Sequence, residues 1–476
     1  MPCGRKKKML TYNFDKAQGP LYEYIYQCIK EDIMDGNLRQ GEKLPSKRTF
    51  AKNNGISTIT IQNAYDQLIS EGYVYTIPQK GYYVAKLEGM KKVQRESSIS
   101  LNINIPEKRH SYAVDLSDNR MNPDLFPFSI WAKVLRGIIS DKSGELMETS
   151  PAGGIGELRA AIAEHLKSFR GMLVDPDQIV IGAGTEYLYG LIVQLLGNEK
   201  NYCVENPGYR KIVQVYRQYH ISCQYADLDE NGMTSGGLRA TGADIAHISP
   251  NHHFPTGITM PAGRRYEILA WANEREGRYI IEDDYDSEFR LNGKPIPTLF
   301  SMDACEKVIY MNTFSKSLTP TIRISYMVLP VHLINRFYRE LSFYACTVSN
   351  FEQYTLAAFI RQGYFEKHIN RMRLYYSRQR KLMIDTIRKS RLNEVCEIIE
   401  NDSGLHFLIR TKTDKADGEI LHALGERGIR VNALSEYFFT PSEMKHCFII
   451  NYSNADIEKA GRACDVFYEV LAGDVE

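Results

Sequence analysis

Residues 308–318 read Val308-Ile309-Tyr310-Met311-Asn312-Thr313-Phe314-Ser315-Lys316-Ser317-Leu318. The short apolar, β-branched and aromatic run predicts a strand over Val308–Met311. Lys316 then stands just past the carboxyl end of that strand, between two serines. Ligands of open α/β sheets bind at this end of the strands. A lysine placed there suits reversible Schiff-base chemistry.

Other strand ends extend the pattern. Arg278–Ile281 runs into Glu282-Asp283-Asp284-Tyr285-Asp286. A carboxylate here can pair with the ring nitrogen of pyridoxal phosphate and keep the ring an electron sink. Four acids so close can instead bind a metal. No histidine adjoins them in sequence, and the downstream lysine favours the cofactor. Gln178–Ile181 leads into Gly182-Ala183-Gly184-Thr185 and a helix. Small residues let the amides of a helix start approach a phosphate. Tyr202–Val204 leads into Glu205-Asn206-Pro207-Gly208-Tyr209, whose last residue can lie over a planar ring. With Ile245–Ile248 and helical patterns between the strands, residues from 113 onward predict a mostly parallel α/β sheet.

The chain's 476 residues carry a net charge of only +1, unevenly spread. Residues 1–110 hold 18 basic and 11 acidic side chains, the rest 41 and 47. A basic head on an acidic body points to a polyanion partner for the head. Nine scattered cysteines form no C-x-x-C pair, which argues against a zinc site or a disulfide framework and for reduced, cytoplasmic thiols. No apolar stretch follows the basic start as in a secretory signal, and no run is long enough to span a membrane.

Within the head, Leu21, Ile25, Cys28, Ile29 and Ile33 recur at helical spacing and predict a helix over 20–35. Ser46 caps a second helix through Lys52. Ser57 caps a third, whose Ile61, Ala64, Tyr65, Leu68 and Ile69 face inward. Tyr73–Ile77 and Gly81–Val84 then form a two-stranded wing. In such a unit the third helix enters the major groove. Ser57, Thr58, Thr60, Gln62 and Asn63 stand where base edges and phosphates are read. Arg48 and, on the wing, Lys80 and Gly81 are the backbone contacts. The expected organisation is a basic tail (1–14), a DNA-binding head (15–86), a polar linker (87–112) and an α/β body (113–476).

The string LPSKRTFAKNNGISTITIQNAYDQLISEGYVYTIPQKGYYVA (44–85) resembles the winged helix–turn–helix of GntR-type bacterial repressors. Many members carry an arginine after the serine that starts the recognition helix; here Thr58 stands there, so the operator preference does not carry over. Residues 113–476 resemble a fold-type I aminotransferase domain, with a small C-terminal α+β subdomain. Further matches are GIGELRAAIAEHL (154–166), SPNHHFPTG (249–257) and GLHFLI (404–409). The fusion of the two is identified as a member of the MocR, or GabR-like, family.

That resemblance implies pyridoxal phosphate as cofactor and assigns roles. Lys316 is similar to the lysine of the internal aldimine, Asp283 to the partner of the pyridine nitrogen, and Tyr285 to the phenol beside the ring oxygen. Tyr209 resembles the stacking aromatic. Gly184, Thr185, Thr313 and Arg323 fall where the family holds the phosphate, and a guanidinium fork suits a phosphate dianion. No catalytic residue and no metal are expected.

Two departures stand out. The family's Y-G-D-P-x-G segment reads Glu148-Thr149-Ser150-Pro151-Ala152-Gly153, without its tyrosine. The C-terminal arginine that clamps a substrate carboxylate in aminotransferases is absent from 431–461, where Phe448-Ile449-Ile450-Asn451-Tyr452 stands instead. Arg210, Lys211 and Lys445 are the substitutes near at hand. Losing such a clamp argues against efficient transamination. The expected function is a cytoplasmic, nucleoid-associated regulator of operator DNA that senses a small amine or amino compound through an external aldimine. The alternatives are a sensor of pyridoxal phosphate itself that controls its synthesis, and a working aminotransferase with a DNA-binding appendage. A head-to-tail homodimer is expected.

Overall fold

The computed structural model describes residues 10–14, 17, 19–87, 103, 112–117, 121–290, 296–400, 404–441 and 444–472. Most of the basic tail and all of the linker but Leu87, Ile103 and Tyr112 lie outside them. The chain divides into two compact units, 1–108 and 109–476.

The first unit holds α1 (Leu21–Met34), α2 (Lys47–Asn54) and α3 (Thr58–Ser70), then β1 (Val74–Ile77) and β2 (Gly81–Val84). The two strands pair antiparallel, Val74 opposite Val84 and Ile77 opposite Gly81. Ile25, Ile29, Phe50, Ile61, Tyr65 and Leu68 are fully buried in one core. Ile69 is only partly buried. Both expected caps form: Ser46 Oγ accepts from Thr49 N at 3.1 Å and Ser57 Oγ from Thr60 N at 3.0 Å. Each satisfies an amide that a helix start leaves without an intrahelical acceptor.

The second unit opens with β3 (Val114–Asp115), α4 (Phe128–Asp141) and α5 (Gly156–Arg170) and is built on an eight-stranded sheet. Its strands are β4 (Ile179–Gly182), β5 (Tyr202–Asn206), β6 (Cys223–Asp229), β7 (Gly232–Met233), β8 (Ile245–Ile248), β9 (Tyr279–Asp283), β10 (Val308–Thr313) and β11 (Ser325–Val328). Their spatial order is β4-β11-β10-β9-β8-β5-β6-β7. The run from β10 through β6 is parallel. β11 runs against both β10 and β4, so β4 shares the direction of the parallel set. The sequence reading missed β6 and β11 and ended several strands early. Asp283 and Thr313 are the last residues of their strands, not members of the following turns.

Helices cover both faces. Ile309 and Met311 pack into one core with α6 (Thr185–Leu196). Val308 and Tyr310 point the other way, into two further cores. Burial on both sides explains why these strands read as continuous apolar runs. The C-terminal part adds a four-stranded antiparallel sheet and a parallel pair, Val114–Asp115 with Ile429–Arg430. No helix among the described residues is long and apolar enough to cross a membrane.

Ser57→Ala removes the cap of α3 and is expected to cost the head about 1 kcal/mol. Amide hydrogen exchange of residues 60–64 in the full chain reads this directly; unchanged protection would show that the cap is dispensable.

Candidate functional site

Because β4, β5, β9 and β10 point the same way, the residues that follow them converge. β11 runs oppositely, so Arg323, just before it, reaches the same edge. A cavity of about 740 Å³ opens there. Seven of the eight expected cofactor residues line it: Thr185, Tyr209, Asp283, Tyr285, Thr313, Lys316 and Arg323. The eighth, Gly184, adjoins it. Its φ is +96°, and a Cβ there would lie 2.0 Å from Arg323 Nη2. Only glycine lets the guanidinium lie across this turn.

Lys316 sits on a single helical turn, Phe314–Ser317, capped by Thr313. Thr313 Oγ1 accepts from Ser315 N at 3.1 Å and lies 2.8 Å from Ser325 Oγ. Ser315 Oγ, in contrast, is buried without a hydrogen-bond partner among the described residues. Of the buried, unpartnered hydroxyls among the described residues, that of Ser315 is the one that lines the cavity, and sequence reasoning gave it no role.

Asp283 is buried, and its two oxygens differ. Oδ2 accepts from Tyr189 Oη at 2.6 Å and lies 3.4 Å from His247 Nε2. His247 Nδ1 meets Tyr216 Oη at 2.7 Å. Burial and the neighbouring Asp283 hold the Tyr189 phenol neutral, far above its ordinary pKa. Oδ1 has no partner. A buried, unmatched carboxylate oxygen is costly unless a donor meets it. A protonated ring nitrogen is such a donor.

The neighbouring acids diverge. Glu282 accepts from Leu299 N at 3.0 Å and Phe300 N at 2.9 Å. Asp284 pairs with Arg170 and accepts from Tyr310 Oη at 2.7 Å. Asp286 meets His252 Nδ1 at 2.9 Å, and the same nitrogen lies 3.0 Å from Tyr285 Oη. Histidines absent from the local sequence therefore do adjoin these acids in space. Even so, no group of three or more His, Cys, Asp or Glu suited to a metal occurs among the described residues.

Glu205, also in the cavity wall, is buried. Burial pushes its carboxyl from 4.5 up to about 8; Asp283 adds to the rise, and the Ser249 N–H opposes it. His253 Nε2 lies 3.5 Å away, and burial holds that imidazole down at about 3. The pair is a neutral acid beside a neutral ring.

Of the three cations considered as substitutes for the missing arginine, Lys211 lines the cavity and bonds Glu186. Arg210 and Lys445 are not among the lining residues. Arg430, which sequence reasoning overlooked, is. The Ile429–Arg430 strand carries it there, 4.0 Å from Asp115 and 5.6 Å from the ring centre of Tyr112.

On the head, Thr58, Gln62 and Asn63 are exposed along α3, as are Arg48 and Lys80. Gly81 turns at φ +111°. Ser57 and Thr60 hydroxyls lie 2.7 Å apart and serve the cap. Ile59 is 71% exposed on the same helix, an apolar side chain that sequence reasoning did not single out.

The family described as "Bacterial regulatory proteins, gntR family" matches residues 21–84, and "Aminotransferase class I and II" matches residues 113–467. The fold resembles the crystal structure of kynurenine aminotransferase from Pyrococcus horikoshii, with a TM-score of 0.67 at 23% identity over 76% of this chain and 91% of that one. Fold and site together define a transcription regulator with a winged helix–turn–helix head and an aminotransferase-type body. The chain belongs to the MocR type of gntR-family regulators, whose cofactor is pyridoxal 5'-phosphate. It is 33% identical to the uncharacterised HTH-type transcriptional regulator YdeL of Bacillus subtilis, over 92% of this chain and 95% of that one. It is 29% identical to the probable rhizopine catabolism regulatory protein MocR of Rhizobium meliloti, over 94% and 93%.

The Glu205 proton gives a pH signature. Its folded pKa lies above its unfolded value, so the stability it contributes is full below about pH 4.5 and is lost as pH rises through about 8. Glu205→Gln removes that dependence. Denaturant midpoints of wild type and variant should run parallel below about pH 4.5, separate progressively between about pH 4.5 and 8 as the wild type loses stability, and stay a constant distance apart above that. Curves parallel throughout would mean that Glu205 is ionised in the folded protein.

Proposed function

We propose that this protein binds pyridoxal phosphate at Lys316, meets a small amine or amino compound in the same cavity, and changes its operator binding in response. The observation that carries the reading is Asp283, a buried carboxylate with one unpartnered oxygen in a cavity that also holds Lys316 and Arg323. When bound, the cofactor supplies an aldehyde carbon that a primary amine can take over from the lysine, and a ring that draws electrons.

This chain's residues supply the rest. Lys316 Nζ would hold the cofactor covalently. Asp283 Oδ1 would accept from a protonated ring nitrogen, while Tyr189 and His247 fix the other oxygen. Tyr209 would serve as the stacking aromatic and Tyr285 as the phenol for the ring oxygen. Arg323, Thr185, Ser315 and the amides at the start of α6 would hold the phosphate, with Gly184 keeping the turn open and Thr313 capping the lysine's turn. Arg430 and Lys211 are the cavity's cations for a negatively charged group on the effector.

A sensing rather than catalytic role is supported by the stretch Phe448–Tyr452, which holds no arginine where the resemblance to aminotransferases expects the carboxylate clamp. Differential binding worth about 1–3 kcal/mol is enough to change DNA occupancy severalfold. Exposed Met147, Phe343 and Tyr344, at 74, 74 and 38%, support association of two bodies. A head-to-tail homodimer would present two heads to two half-sites.

Thr58, Ile59, Gln62 and Asn63 are the base-reading side chains of the head, Ile59 suiting a thymine methyl. Arg48, Lys80 and the turn at Gly81 serve the backbone. Arg48→Ala should weaken specific and non-specific DNA binding alike and lower the salt slope by about one. An unchanged slope takes Arg48 out of the phosphate contacts.

The decisive test is Lys316→Ala in a DNA-binding assay with a panel of amines and amino acids. The variant should bind operator DNA, take up no lysine-bound cofactor and ignore the compound that moves the wild type. A variant that still responds would place the sensing outside Lys316. Steady conversion of an amino acid to its keto acid by the wild type would make the protein an enzyme.

A further inference from the structure

The phosphate side of the cavity already contains an anion of the chain's own. Glu186 is the second residue of α6, directly after Thr185. Its Oε2 accepts from Arg323 Nη2 and its Oε1 from Lys211 Nζ. All three side chains line the cavity. A Cβ on Gly184 would lie 3.0 Å from Glu186 Oε2 as well as against the guanidinium, so the carboxylate sits at the turn that faces the phosphate.

Burial acts to raise the Glu186 pKa. Lys211, the residue's own amide and Arg323 outweigh it and hold the carboxyl down at about 2. Its two cation contacts therefore favour the charged carboxylate. Of the two guanidiniums among the described cavity-lining residues, Arg323 and Arg430, Arg323 is the one bonded to Glu186. A phosphate that recruits it must draw it away from Glu186 or share it with a negative neighbour. Either route costs free energy, because like charges a few ångströms apart repel strongly in a partly buried site. Lys211 is half exposed and can follow Glu186 outward, which leaves the carboxylate a partner when Arg323 turns to the ligand.

We propose that Glu186 is a built-in competitor for the cofactor's phosphate, set to weaken cofactor binding so that occupancy follows the free cofactor concentration. Charge alone decides this, since glutamine keeps the shape and one acceptor oxygen but carries no negative charge. The proposal rests on the reading of the cavity as a pyridoxal phosphate site. It also gives that reading a second input: the regulator answers both to an amine and to the supply of its own cofactor.

The test titrates full-length wild type, Glu186→Gln and Glu186→Ala with pyridoxal phosphate and, separately, with pyridoxal, which has the aldehyde but no phosphate. Absorbance of the lysine-bound aldehyde gives each dissociation constant. Both variants should bind pyridoxal phosphate about tenfold more tightly than wild type. Pyridoxal should bind all three alike, which also shows that the variants are folded. Equal affinity of the three proteins for pyridoxal phosphate overturns the proposal, as does tighter binding by wild type. A parallel gain with pyridoxal overturns it too, because the effect would not run through the phosphate. No absorbance change in any protein with either aldehyde overturns the cofactor reading itself.

Discussion

Asp283 is a carboxylate taken out of water and paired on only one side. Burying a charge without full compensation is among the least favourable things a fold can do. Here the compensation is deliberate on one oxygen and withheld on the other. Tyr189 from α6 and His247 from β8 hold Oδ2, and Tyr216 holds His247 in turn. These groups come from separate elements, so the sheet and its covering helices must be in place before the carboxylate can be buried. The rest of the cavity is arranged around the oxygen that remains.

The other acids at this strand end are kept from interfering. Glu282 is tied to backbone amides, Asp284 to a buried arginine and a tyrosine, Asp286 to a histidine. Breaking the Arg170–Asp284 pair would leave one buried charge alone, at a cost of several kcal/mol. Glu205 takes the remaining route and stays protonated. These five carboxyl groups are thus handled in different ways, and of the five Asp283 is the one in the cavity wall with an oxygen that has no partner among the described residues.

The same edge of the sheet balances cations as well. Arg323 and Lys211 share Glu186, while Arg430 faces the cavity from the small C-terminal part with a distant partner in Asp115. The cavity is therefore polarised: an unpartnered acceptor at the end of β9, a carboxylate held by two cations at the start of α6, and a loosely held guanidinium on the Ile429–Arg430 strand. The strand Cys447–Asn451 carries apolar and amide side chains and no arginine.

Much of this was legible in the residues themselves. Strand-period runs leading into Lys316, Asp283, Thr185 and Tyr209 predicted both the sheet and the edge where the cavity opens, because side-chain period and turn chemistry are local properties. Caps at Ser46 and Ser57 were readable for the same reason. What the sequence could not show is partnership across strands. His247 and Tyr189 lie 36 and 94 residues from Asp283, and neither carries a local mark of its role. Arg430 served only as the boundary of a stretch without arginines, yet strand pairing with Val114–Asp115 carries it into the cavity. Thr313 matched a phosphate position, but its hydroxyl caps the lysine's turn and leaves Ser315 open. Local sequence determined which chemistry the chain carries. Long-range packing decided which atoms of those residues are spent on the fold and which remain for a ligand, since each buried polar group must find its partner somewhere in space.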